Sequence, residues 1–179
     1  VGYFYPYWQQ RVEALRAGSL PLWNPHLFLG VPFLGNIQTG LFYPPNLPLI
    51  PFDAPRAVAL SYVAHLWVAA AGMYLLARYR LQVGRPAAFL AGCVFAFGGF
   101  LAAQAGHINQ VQTAVWLPAL AFAYLAAHQR RSVWWALIGG GIIALQLTAG
   151  HPQELYLSLV CIGVLALCEA VRAAVSDDD

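Results

Sequence analysis

Lysine is absent from these 179 residues, and charge of either sign is scarce: nine arginines and seven carboxylates make up 9% of the chain. So little charge, against 60% apolar residues and a mean hydropathy of +0.61, excludes an ordinary water-soluble domain. The few arginines form no basic stripe, which excludes nucleic acid as a partner. Cysteine is limited to Cys93, Cys161 and Cys168, an odd number, all inside apolar runs. They read as small packing residues, with neither a disulfide framework nor metal-type spacing. A charged leader and a cleavage site are also missing, and the first residue is Val1. The sequence is therefore expected to be a piece of a longer protein with a membrane span upstream.

What is present is hydrocarbon in blocks. Apolar runs at about 57–77, 86–103, 111–127, 133–149 and 155–175 each approach the length that crosses ~30 Å of bilayer core at 1.5 Å per residue. They predict an all-α, polytopic bundle of five transmembrane helices. The third is the shortest and open to a tilted or re-entrant course, with Pro118 loosening its backbone bonds. Arg78, Arg80 and Arg85 follow the first run, Arg130 and Arg131 the third, and Arg172 ends the fifth, whereas the turns at 104–110 and 150–154 carry no basic residue. The positive-inside rule then puts the arginine loops and a tail at 176–179 in the cytoplasm, and residues 1–56 with the two uncharged turns outside.

Those turns hold a cassette that occurs twice: Ala105-Gly106-His107-Ile108-Asn109-Gln110 and Ala149-Gly150-His151-Pro152-Gln153-Glu154. Polar groups where hydrocarbon ends suggest a built site, and the glycine cluster before each copy suggests an internal two-helix repeat facing one outer cavity. His107 and His151 are candidates for holding a phosphate oxygen or moving a proton, since imidazole titrates near neutral pH. Glu154, at a helix start, is the best-placed outward carboxylate, with helix capping as the plainer explanation. With the histidines it makes a weak candidate for a divalent cation. His65, within the first run one turn after Ser61, reads as a neutral histidine bonded to a neighbouring helix. Gly98-Gly99 and Gly139-Gly140-Gly141 read as patches for close helix contact, and Glu169 with Arg172 as a surface pair.

Nine of the twelve prolines precede Ala57, so the first segment cannot form long helices. The exception is 7–17, where Trp8, Val12 and Leu15 share a face opposite Gln10, Glu13 and Arg16. Two readings stand for it, an amphipathic helix on the membrane surface and a short helix packed on the bundle. Beyond Gly18, prolines and glycines fix a loop that presents Trp23, Asn24, Asn36, Gln38 and Tyr43. Aromatic faces with amides suit a sugar or a polar lipid head, and equally a plain interfacial belt.

The run Leu22-Trp23-Asn24-Pro25-His26-Leu27-Phe28-Leu29-Gly30-Val31-Pro32-Phe33, with Asn36-Ile37-Gln38 and Phe42-Tyr43-Pro44, resembles the first outer loop of the YfhO family of bacterial multi-pass membrane proteins, and the His cassettes are similar to that family's pattern. The resemblance covers nearly the whole chain. It implies a fragment of a GT-C-like fold in the bacterial cytoplasmic membrane, from an enzyme that moves a sugar from a polyprenyl-phosphate carrier to an envelope glycopolymer or lipid acceptor on the outer face. Under it, His151, Glu154 and His107 become candidate catalytic residues, and Trp23, Asn24, Asn36, Gln38, Tyr43, Asn109, Gln110 and Gln153 candidate substrate contacts. Such enzymes carry an essential acid early in the first outer loop. That position is expected upstream of Val1, so the fragment alone is expected to be inactive. A transporter or lipid flippase and a noncatalytic scaffold are the competing readings; a transporter more often has charged or broken-helix elements at the bilayer midplane.

Overall fold

The computed structural model describes residues 4–27 and 29–177. Val1 to Tyr3, Phe28 and the last two aspartates of the tail lie outside the described residues, and with them part of the resemblance run and of the 176–179 tail. The fold is α-helical, with one two-residue ribbon. The outer segment comprises α1 (Phe4–Arg16), strands β1 (Trp23–Asn24) and β2 (Val31–Pro32), paired antiparallel, and short 3-10 turns at Ile37–Thr39 and Pro44–Leu49. The bundle follows as α2 (Ala54–Leu75), a π turn (Leu76–Arg80), α3 (Arg85–Ala96), α4 (Gly99–Ala103), α5 (Ile108–Ala114), α6 (Leu117–Arg130), α7 (Val133–Thr148) and α8 (Pro152–Asp177).

The three prolines beyond residue 57 each lie at the start of a helix: Pro86 in α3, Pro118 in α6 and Pro152 in α8, as Pro55 does in α2. Proline suits that place because the first turn has no use for its missing N–H. Four helical runs are long and apolar enough to cross a membrane, Ala54–Arg80, Arg85–Gly106, Ile108–Arg130 and Pro152–Val175. The chain is thus a membrane protein. The expectation for the third run needs correcting: it is 23 residues long, broken at Val115 and Trp116 just before Pro118. The short one is α7, whose 16 residues rise only about 24 Å.

α2 is central. It packs against α1, α3, α5 and α6, while α7 and α8 close the far side against α5 and α6. Ala69, Ala96, Leu101, Val111 and Val115 form the core between these helices. Close helix contact falls elsewhere than the glycine patches suggested. A Cβ on Gly92 would stand 2.8 Å from the Ala70 carbonyl of α2, and one on Gly72 3.4 Å from the Ala119 nitrogen of α6. Gly99, Gly140 and Gly141 instead face open space, and only Gly139 of that patch touches a neighbour, Ala123.

α1 takes the packed reading. Trp8 and Val12 are buried on Ala57 beside Leu49, Ile50, Ala54 and Val58. Its Arg11 is buried under the first 3-10 turn, donating to the carbonyls of Thr39 (3.2 Å) and Gly40 (3.0 Å) with the guanidinium 3.9 Å above the Trp8 ring. Burial pulls this group down to about 10, so it stays charged at neutral pH. The loop is also plugged into the bundle by Tyr43, which is fully buried. Its hydroxyl donates to His65 Nε2 at 2.6 Å and accepts from the Trp116 indole at 2.8 Å, while His65 Nδ1 donates to the Ser61 carbonyl at 2.6 Å. Gln112 extends this network to Asn46 Oδ1 (2.8 Å) and Ser61 Oγ (2.9 Å). His65 is therefore a neutral structural histidine, but its partner is the outer loop rather than a neighbouring helix.

Candidate functional site

Both cassettes and the outer segment meet at one end of the bundle. In the first, α4 gives way to a 3-10 turn at Gln104–Gly106, and His107 leaves helical geometry before α5 starts. In the second, Gly150 adopts φ 88, which only glycine takes without strain, and its Cα sits so close to the Ile37 carbonyl that an added Cβ would collide with it. The 3-10 turn of the loop is thereby seated directly on the α7–α8 turn.

Beside this contact lies a cavity of about 340 Å³ lined by Phe4, Gln38, Gly106, His107, Asn109, Gln110 and His151. Gln110 Nε2 donates to His151 Nε2 at 3.0 Å, so the imidazole proton resides on Nδ1. That N–H and Gln110 Oε1 are buried without a partner, an unfilled donor and acceptor of the kind a ligand's hydroxyl groups satisfy. Asn109 is buried and donates to the Gly150 carbonyl at 3.4 Å, tying one cassette to the other. Phe4 meets His107 edge to face at 6.4 Å between centroids and supplies the apolar wall.

A second, larger hollow of about 800 Å³ opens on the side of the bundle between α3, α4, α6 and α8. Leu90, Val94, Phe95, Leu117 and Leu157 give it an apolar lining. Glu154 is its one charged residue among the described residues, half-buried at the first turn of α8. His151 lines the polar cavity and Glu154, three residues later, lines the apolar hollow.

Of the sequence candidates, His107, His151, Gln38, Asn109 and Gln110 come together, and the others stand apart. Glu154 does not line the polar cavity. Gln153 is exposed. Trp23 is largely exposed on the ribbon, over Gly30, and its carbonyl accepts from Gln10. Asn24 is buried and accepts from the His26 N–H, and Asn36 caps the first 3-10 turn by accepting from the Gln38 N–H, both Asx turns that shape the loop. Tyr43 belongs to the buried network described above. The two cassettes are also less alike than their letters: Gln110 turns into the polar cavity, whereas the corresponding Glu154 turns to the apolar one. Among the described residues no group of three or more His, Cys, Asp or Glu side chains could hold a metal ion, so the geometry does not support a cation on the two histidines and Glu154. Phe4 escaped sequence reasoning, as did the buried Gln112, Thr113, Gln146 and Ser158, although polar residues within apolar runs were the visible signal of the last four. The chain has no significant match among protein-family models, curated proteins or solved structures.

Proposed function

We propose that the chain is part of a GT-C-type membrane glycosyltransferase, which moves a sugar from a polyprenyl-phosphate carrier to an envelope acceptor on the outer face of the bacterial cytoplasmic membrane. One observation carries this reading: the start of α8 contributes to both a polar cavity, through His151, and an apolar hollow, through Glu154. A lipid-linked sugar has the same division, a polar head on a long hydrocarbon chain.

In this reading the sugar occupies the cavity, where Gln38, Asn109, Gln110 and His151 offer uncharged hydrogen-bonding groups and Phe4 an apolar face. The isoprenoid lies in the hollow. Transfer breaks the bond between the anomeric carbon and the phosphate oxygen and forms one to the acceptor hydroxyl, whose proton passes to a base. Glu154 is the carboxylate of the second cassette, and His151 stands three residues before it. The resemblance to the YfhO family, carried by residues 22–44 and the cassettes, supports the same assignment. Against a transport path stands the bonding of the buried polar groups. Gln112, His65 and Gln146 bond to Asn46, Tyr43 and Ser158 respectively, so these buried polar side chains are tied to one another rather than ranged free along a path.

The test is mass spectrometry of envelope glycans from cells carrying the full-length parent gene, at matched expression. His151→Ala and Glu154→Gln are each expected to lower the gene-dependent sugar modification by 100-fold or more, on the order of the loss of an acid, base or key donor. Gln153→Ala, exposed between them, is expected to leave it intact. A modification that survives both changes would turn the assignment toward the transporter, flippase or scaffold readings.

A further inference from the structure

The opposite end of the bundle carries a second set of groups that the proposed reaction does not use. The π turn brings Arg78 and Arg80 to the end of α2, and α6 packs against it, ending in Arg130 with Arg131 in left-handed conformation (φ 47). Gln129, next to Arg130 in the chain, bonds to Arg80, which brings the two arginines to the same end of adjacent helices. Among the described residues neither has a carboxylate partner, since the two ion pairs present are Arg56 with Asp53 and Arg172 with Glu169.

Arg80 is held in place all the same. Its Nη1 donates to Gln129 Oε1 at 3.0 Å, its guanidinium lies 4.6 Å over the Phe122 ring, and its Nε is buried without an acceptor. A basic residue in the last turn of one helix is explained by the helix dipole. Two such ends brought together, with one guanidinium fixed by an amide and a ring and no carboxylate paired with either, are not.

We propose that Arg80 and Arg130, with Arg78 and Arg131 beside them, bind the phosphate of an anionic phospholipid headgroup. A phosphate oxygen accepts from the outer guanidinium nitrogens of Arg80 and Arg130, with Gln129 and the Phe122 ring holding Arg80 in place. The surroundings select a lipid over free phosphate. Tyr79 and Leu81 are about half exposed and Val133 and Trp134 about three-quarters, so the guanidinium groups are flanked by uncovered apolar side chains at the ends of membrane-length helices, where acyl chains would lie.

The full chain, purified in neutral detergent, is titrated with equimolar phosphatidylglycerol and phosphatidylcholine of matched acyl chains, and bound lipid is counted by native mass spectrometry. One phosphatidylglycerol is expected to be held in preference to phosphatidylcholine. The preference should fall roughly 30-fold in the Arg80→Gln/Arg130→Gln double variant, and about fivefold in Arg130→Gln alone, an exposed change that leaves helix packing untouched. Arg56→Gln, at the other end and paired with Asp53, should change nothing. Equal retention of the two lipids by the unmodified chain overturns the proposal. So does a preference that survives Arg130→Gln or drops equally in Arg56→Gln. Displacement of the lipid by an equal concentration of inorganic phosphate would make this a phosphate site and end the lipid assignment.

Discussion

Tyr43 illustrates what residue type does and does not reveal. Its neighbours Pro44 and Pro45 identify a rigid loop, yet whether its ring turns to a ligand or into the bundle depends on His65 and Trp116, which lie far along the chain. Removing the hydroxyl in Tyr43→Phe strands a histidine nitrogen and an indole N–H, and is expected to destabilise the protein by about 2 kcal/mol in chemical unfolding from detergent. Burial also pushes the Tyr43 hydroxyl above its ordinary value of 10.0. The unfolded chain therefore loses this proton first, so the contribution to stability is complete below pH 10 and falls as the pH rises beyond it. Thermal midpoints followed from about pH 9 to about pH 11 should show a decline that is shallower in Tyr43→Phe. Gly150 makes a similar case. Sequence marks it as a helix stop, but only the fold brings the Ile37 carbonyl against it, so Gly150→Ala is expected to lose about 2 kcal/mol or more and to open the polar cavity.

Helices were legible because proline and arginine punctuate them. Pro55, Pro86, Pro118 and Pro152 lie at helix starts and Arg80 and Arg130 at helix ends, which is why the apolar runs give the helical segments to within a few residues. Which glycines touch another helix was not legible, since that depends on rotation about each axis rather than on composition. Gly92 and Gly141 test the distinction. Gly92→Ala drives a methyl against the Ala70 backbone and is expected to destabilise by about 1–3 kcal/mol. Gly141→Ala, with open space around it, should be neutral or stabilise by up to about 1 kcal/mol through helix propensity. Equal effects in thermal unfolding would mean that α2 and α3 do not approach as described. The candidate site was half legible by the same logic. The cassettes announced two polar turns, but not that their last residues, Gln110 and Glu154, face different hollows.

Across the whole molecule, one end gathers the outer segment and both histidine turns and the other gathers Arg78, Arg80, Arg130 and Arg131. The two ends are expected to lie on opposite sides of the membrane. In a background with Cys93, Cys161 and Cys168 changed to alanine, Gln153→Cys should react with a membrane-impermeant thiol reagent in intact cells, and Arg131→Cys only after permeabilisation. Labelling of both from outside would refute the orientation. The plugged loop also has a consequence in time. Asn46 is bonded to a residue 66 positions later and Tyr43 to one 73 positions later. At a synthesis rate of about 5–20 residues per second, the loop emerges roughly 4 to 15 s before Gln112 and Trp116 exist to receive it. The outer loop is thus made before the helices that receive it and settles only after them, and a nascent chain halted before Gln112 should expose Asn46 and its prolines to protease until the ribosome delivers the helix that holds them.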